Sequence, residues 1–238
     1  MANFPFQRLQ ADLAKLIAGT PAGSRLMSEP DLAKQMGVSR ATLREAMRTF
    51  ETQGLIRRRQ GSGTYVVGKF DVIDAGLEVL ESIETMARRM NLEVSFSDLH
   101  VEQIDADPKT ADGLCIEAGK SITRVRRVIR ADGRPVAYLI DCLPEEILKP
   151  GNLPADFSGS VLDFLIGSGS DLKISRADIS ATNASAEVAK PLEIQRDDVL
   201  LRFESQLYDS QGKVLDYSVS YFIPGYFHFH VNRRVGSA

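Results

Sequence analysis

Apolar residues in the first part of the chain recur at helical spacing. Leu9, Leu13, Leu16 and Ile17 make one stripe, which ends at Gly19 and Pro21. Ser28 stands three residues before Asp31 with Pro30 between them, so its hydroxyl can cap a second helix whose first turn tolerates a proline. Leu32, Ala33 and Met36 give that helix its buried side. Gly37-Val38-Ser39 breaks the pattern, and Ser39 can cap a third helix that runs to about Gln53, with Gly54 as its terminator. On it Leu43, Ala46, Met47 and Phe50 follow the i, i+3, i+4, i+7 rule of a packed face. Residues 55–59 and 64–67 then read as two short strands joined through Gln60-Gly61-Ser62-Gly63. Three helices followed by a β-hairpin is the plan of a winged helix-turn-helix.

Beyond this the pattern changes. Residues 69–76 read as a linker between a first domain, residues 1–68, and a second, residues 77–238. The second opens with a short amphipathic helix capped by Ser82, with Ile83, Met86, Ala87 and Met90 turned inward. Strand-like runs follow at 92–104, 121–131, 134–143, 172–182, 198–208 and 213–223, with short helices near 108–114, 160–166 and 185–190. The class is α+β. Ala131-Asp132-Gly133 turns one predicted hairpin and Asp209-Ser210-Gln211-Gly212 another, and each second strand ends in proline, at Pro144 and Pro224. That likeness is a faint echo, short of a sequence repeat.

The net charge of −3 is unevenly spread. Residues 1–70 hold 11 Lys and Arg against 5 Asp and Glu, a balance of +6, and the remainder carries 18 against 27, a balance of −9. This asymmetry suggests two domains with different partners, the first able to meet a polyanion. No segment approaches the roughly 20 apolar residues of a membrane span. The first residues also lack the basic and apolar regions of a secretory signal, so no membrane contact and a cytoplasmic location are expected. Cys115 and Cys142 cannot make a disulfide framework and have no Cys or His at ligand spacing, so both read as small buried hydrophobes. His228 and His230 sit two apart on an expected strand, where two imidazoles can bind a metal. With no paired acids near them in sequence a structural role is favoured, and no metal or cofactor is expected. The chain has no nucleophile elbow, phosphate loop or dinucleotide fingerprint, so it does not read as an enzyme and no catalytic residue is assigned.

A rotation of 100° per residue puts Ala41, Arg44, Glu45 and Arg48 opposite the packed face of the third helix, with Arg40 and Thr42 flanking its start. Alone, such a face is an ordinary solvated surface. Its neighbours change the reading: a capped helix and a glycine turn precede it, Arg57-Arg58-Arg59 follow it, and the whole lies in the positive part of the chain. A helix of this kind can lie in the major groove and offer bidentate donors to guanine edges or phosphates. The stretch MSEPDLAKQMGVSRATLREAMRTFETQGLIRRRQGSGTYV resembles the winged-helix domain of the GntR family, whose motifs run S-E-R-x-L-A, then G-V-S-R-x-T-[LV]-R-x-A-L, then R-x-G-x-G-T-[FY]-V. The resemblance implies that Ser39, Arg40, Thr42 and Arg44, with Arg48 on the same outer face, approach double-stranded DNA. It implies also that Gln60 and Gly61 at the wing tip reach into the minor groove. Pro30 stands where the family usually has an arginine, and Met27 where it has a proline, so one expected contact is absent.

The second domain resembles the UTRA domain of the HutC subfamily, a chorismate-lyase-like α+β fold that senses small molecules. The likeness rests on the helix opening at Ser82 and on residues 127–137 and 212–221. It implies an effector site with Ser82 and the backbone of Ile83 and Glu84 on one side and Arg127 on the other, lined by Tyr217 and Tyr221. A helix N-terminus closed by an arginine suits an anionic effector, while Ser82 taken by itself is equally a plain helix cap. Arg124, Arg126 and Arg130 read as solvated strand charges. Many relatives with amino-sugar phosphates or carboxylates carry a second arginine where this chain has Ile129, and often a glutamate where Leu139 stands, so a less charged effector fits as well. Together these features imply a transcription regulator, a repressor by the commoner sign, that reads a palindromic operator as a homodimer and is modulated by an effector through the linker. A DNA-binding protein whose second domain only dimerises or meets a partner would share most of them; stabilisation by a ligand separates the two.

Overall fold

The computed structural model describes residues 4–21, 23–52, 54–59, 62–67, 73–154, 157 and 159–233, and the chain divides into two compact units, Met1–Val72 and Ile73–Ala238. Gln60 and Gly61 lie outside the described residues, as do residue 68 and residues 69–72 of the expected linker.

In the first unit helices α1 (Phe4–Gly19), α2 (Glu29–Met36) and α3 (Arg40–Thr52) precede an antiparallel pair, β1 (Ile56–Arg59) and β2 (Gly63–Val66). The apolar stripes read from the sequence meet in one core of Leu9, Leu13, Ile17, Leu32, Ala33, Leu43, Ala46, Met47 and Phe50, closed by Leu26, Ile56 and Val66. Leu13, Leu32 and Leu43, one from each helix, are fully shut off from solvent. Each such side chain contributes about 1.5–3 kcal/mol relative to exposure, which sets the helix angles more firmly than local propensity does. Ser28 caps α2, and Gly37 ends it at φ +65°, a conformation a side chain would strain. Residues 23–26 add an unforeseen third edge to the hairpin: Gly23 N–H donates to Val66 O and Leu26 N–H to Thr64 O, both at 2.8 Å, and Arg25 bridges Tyr65.

The second unit begins with β3 (Ile73–Gly76), inside the segment expected to be linker. It pairs in parallel with β10 (Phe227–His230), so Ile73 faces Phe227 and Asp74 faces His228. A parallel pair between distant segments leaves no local turn signal, and this hid it in the sequence. Between them lie α4 (Ile83–Arg89), β4 (Val94–Asp105), α5 (Pro108–Leu114), β5 (Ser121–Ala131), β6 (Arg134–Pro144), α6 (Val161–Gly167), β7 (Ile174–Asn183), α7 (Ala186–Ala189), β8 (Val199–Tyr208) and β9 (Val214–Phe222). Six of the strands form an antiparallel sheet in the order β4-β5-β6-β9-β8-β7.

The hairpin echo turns out to be a structural repeat, β4-α5-β5-β6 and β7-α7-β8-β9, joined through β6 and β9. Equivalent residues make equivalent bonds. Ala106 N–H donates to Lys120 O and Gly119 N–H to Ala106 O; Ala184 N–H donates to Asp198 O and Asp197 N–H to Ala184 O, all at 2.8–2.9 Å. Cys115 and Glu193, at matching places after the two helices, both take φ +55°.

One sheet face packs Ile122, Cys142, Val214 and Tyr217 against Leu114 of α5. The other packs Val125, Leu143 and Leu207 against Leu148 and against Val161 and Leu165 of α6. Cys142 is buried as expected, and burial pushes its thiol up to about 12. Cys115 is exposed, contrary to the sequence reading, because it lies past the last turn of α5. Arg124, Arg126 and Arg130 are not simply solvated: the first two share Glu102 Oε1 at 2.9 and 2.8 Å, and Arg130 reaches Glu193 at 2.8 Å.

Candidate functional sites

On α3 the helix start is organised by hydroxyls. Thr42 N–H donates to Ser39 Oγ at 3.1 Å, and the two side-chain oxygens share a further bond at 2.8 Å. Arg40, Thr42 and Arg44 are exposed together on this end, and Arg48, half-buried, pairs with Glu45 at 3.9 Å. The unforeseen organiser is Glu29 of α2. Its Oε2 stands 2.6 Å from Arg44 Nε and its Oε1 3.2 Å from Arg58 Nε, so one carboxylate holds an arginine of α3 and an arginine of β1. Both contacts engage the Nε edge, which leaves terminal amino groups of each fork for a guanine edge or a phosphate. Glu51 Oε1 accepts from Arg58 N–H at 3.2 Å and ties β1 to α3. Pro30 sits in the first turn of α2, where a missing N–H costs nothing locally.

Ser39, Arg40, Thr42, Arg44 and Arg48, the residues singled out from the sequence, thus lie on α3 or at its start. Glu29 carried a signal as well, since it is the glutamate of the Ser-Glu motif; what it holds depends on a turn of chain that spacing alone does not give.

In the second unit Ser82 is both things the sequence left open. Its Oγ accepts from Thr85 N–H at 3.0 Å as the cap of α4, and donates to Asp163 Oδ2 of α6 at 2.7 Å. Arg127 of β5, only 4% exposed, donates from Nη1 to Asp141 Oδ2 of β6 at 2.5 Å. Asp216 of β9, 6% exposed, and Glu84 of α4 complete the group, since Arg127 and Asp141 both act on them electrostatically. Burial pushes the Glu84 carboxyl above its ordinary range, with Arg127 opposing and Asp163 and Asp141 adding to the rise. Burial, and then Asp141, push Asp216 much further up. Three polar atoms here, Arg127 Nε, Glu84 Oε1 and Asp216 Oδ1, are cut off from solvent with no hydrogen-bond partner among the described residues. Such atoms cost about 1–3 kcal/mol each when left unmatched.

Arg127 thus stands among the acid groups of Glu84, Asp141, Asp163 and Asp216, with Nη1 engaged by Asp141 and Nε unmatched, a more acidic setting than the sequence led us to expect. Ser82, Glu84 and Arg127 do come together, with Ile83 buried beside them. Tyr217 and Tyr221 do not join them. The register aligns Arg127 with Leu139 and Leu139 with Ser220, so Ser218 and Ser220 share the arginine's face and Tyr217 and Tyr221 point through the opposite one. There Tyr217 lies against Gly113 of α5 and donates to Glu204, while Tyr221 stacks beside Tyr138 at 6.5 Å. The missed acids had a sequence signal: Asp141 and Asp216 each interrupt an otherwise apolar strand, Leu139-Ile140-Asp141-Cys142-Leu143 and Val214-Leu215-Asp216-Tyr217.

Comparison with known proteins bears on both sites. The family model described as bacterial regulatory proteins, gntR family, matches residues 6–66, and that of the UTRA domain matches residues 89–228. Among curated relatives, the probable transcriptional regulator PhnF of Escherichia coli (strain K12) is 30% identical over 202 residues, 83% of this chain and 82% of that protein. The HTH-type transcriptional repressor NagR of Bacillus subtilis (strain 168) is 27% identical over 197 residues, 82% of this chain and 79% of that protein. Among solved structures, PhnF from Mycobacterium smegmatis aligns over 96% of this chain and 100% of its own with a TM-score of 0.65 at 21% identity. At that identity the likeness speaks for the fold alone.

Proposed function

Because the chain belongs to the GntR family of bacterial regulatory proteins and carries their UTRA domain, we propose that it binds a palindromic operator as a homodimer and is released by a small molecule held at the Arg127 cluster. That it is a helix-turn-helix transcription regulator, and not an enzyme, follows from the family itself. The observation that carries the DNA reading is the grip of Glu29 on Arg44 and Arg58, which presents two guanidinium forks from one helix and one wing strand. Ser39, Arg40, Thr42 and Arg48 support the docking from the same helix, and Gln60 and Gly61 would extend it into the minor groove. Repression is supported by the NagR relative, which is named a repressor. Among the described residues no helix is long and apolar enough to cross a membrane, and we place the regulator in the cytoplasm with its DNA.

The orphaned atoms support an effector site and narrow its ligand. Glu84 Oε1 and Asp216 Oδ1 are acceptors in need of donors, and Arg127 Nε is a donor in need of an acceptor. An ammonium group or neighbouring hydroxyls would match the first two at once. A phosphate or carboxylate would meet the carboxylates of Asp141 and Asp163 against a single arginine, with Glu84 and Asp216, whose burial favours the protonated form, adding no positive charge. Selecting genomic fragments with the full chain, then testing release by amines, polyols and anionic metabolites in parallel, examines this reading. Release by a donor-rich compound, lost in Arg127→Ala, supports it; release by anions alone, or a response indifferent to Arg127, contradicts it.

A further inference from the structure

His228 and His230 extend from one side of β10, and the parallel register sets Asp74 directly opposite His228 and Gly76 opposite His230. The alternate residues, Ile73, Ala75 and Phe227, are buried, with Phe229 packed on Phe227 at 5.5 Å, so an apolar layer backs the histidines. One ligand atom from each of Asp74, His228 and His230 lies within 4.8 Å of the other two. Asp74 Oδ1 stands 2.8 Å from His228 Nδ1 and 3.2 Å from His230 Nδ1. The first contact is a hydrogen bond. The second is not, and His230 Nδ1 is cut off from solvent with no partner among the described residues.

Three possible ligand atoms are thus brought close together, and the His228–Asp74 hydrogen bond leaves His230 Nδ1 unmatched. A proton can join one pair, whereas a divalent ion can join all three. Glycine at position 76 leaves the space this needs: a Cβ there would lie 2.7 Å from Glu78 Oε2 and 3.5 Å from His230 Nε2. Glu78 accepts from Asn232 N–H, and His230 acts on its carboxylate electrostatically, so a further acid stands near the pair.

We propose that Asp74, His228 and His230 bind a divalent first-row transition ion, with zinc the best match, at the seam between β3 and β10. Two imidazoles and one carboxylate suit zinc, cobalt or nickel, while magnesium and calcium favour an all-oxygen shell. The ion would clamp the first strand of the second unit to a strand near its end. With four residues a side, that pair is marginal on its own. The proposal uses none of the residues of the Arg127 cluster and stands or falls apart from it.

Untagged full-length protein, stripped with a chelator, is titrated with zinc by calorimetry and with cobalt by visible absorption. The expected result is one ion per chain, no response to magnesium, and a melting temperature raised by about 5–10 °C at a hundredfold excess over Kd. Asp74→Asn and His230→Ala should each weaken zinc at least tenfold, and His100→Ala, away from the seam, should leave it unchanged. Circular dichroism checks each variant, and the near-isosteric Asp74→Asn decides the matter if His230→Ala unfolds. Absence of zinc binding, equal affinity in His228→Ala/His230→Ala, or binding lost only on replacing Cys115 would overturn the site.

Discussion

Arg44 and Arg127 are the same residue type in opposite circumstances, and the carboxylate beside each decides what it can do. Glu29 holds Arg44 by its Nε edge while the side chain stays more than half exposed, so the fork remains available. Arg44→Ala should lower operator affinity by about 1–3 kcal/mol. Competition with scrambled duplex tells the two contacts apart: a guanine contact relaxes specificity, a phosphate contact weakens every sequence alike. Arg127, by contrast, is buried against Asp141, and removing it strands the acids around it. Arg127→Ala should cost about 3–5 kcal/mol in denaturant unfolding, and Arg127→Met with Asp141→Leu much less. Asp216 is an acid whose folded form prefers its proton. Its stabilising share is complete below an unfolded value near 3.8 and is lost as the pH rises through the range up to its higher folded value. Asp216→Asn should therefore melt above the wild type at pH 7, with the gap closing toward pH 4. Ser82 was readable from its capping position and Arg127 from a family motif. The tyrosines were misplaced because the facing of residues 217 and 221 relative to 127 depends on strand register, which no spacing within one strand reveals.

Recognition-helix and wing differ in how far their sequence discloses them. The 3.6-residue recurrence of Leu43, Ala46, Met47 and Phe50 fixes both the buried side of α3 and, by exclusion, the exposed side that we propose reads DNA. The wing depends on a partner the local pattern does not mark. Arg25 lies across Gly63, where a Cβ would fall 2.5 Å from its Nε and where φ is +114°. Gly63→Ala should cost at least about 1 kcal/mol, since space and backbone both oppose it. Amide exchange at Leu26 and Val66, whose N–H groups bond across this edge, should quicken in the variant. Similarly, β3 reads as linker because its stabilising neighbour is β10, 154 residues away at the Asp74–His228 contact.

For the molecule as a whole, the division of charge was the most legible property, and the two units fall on either side of it. The repeat within the second unit was audible only as two hairpins ending in proline, because repeats held by backbone bonds at Ala106 and Ala184 need not share side chains. A homodimer predicts a light-scattering mass of twice the 26.2 kDa of the chain, with and without operator DNA. The decisive quantity is the affinity of the full chain for its selected operator as salt is varied, in wild type and in Arg44→Ala/Arg58→Ala. Counterion release predicts that log K falls linearly with log salt, and loss of two phosphate-reaching arginines should shallow the slope by about 2. An affinity untouched by salt, or a slope and strength the same in both proteins, would contradict the docking of this helix and wing on DNA.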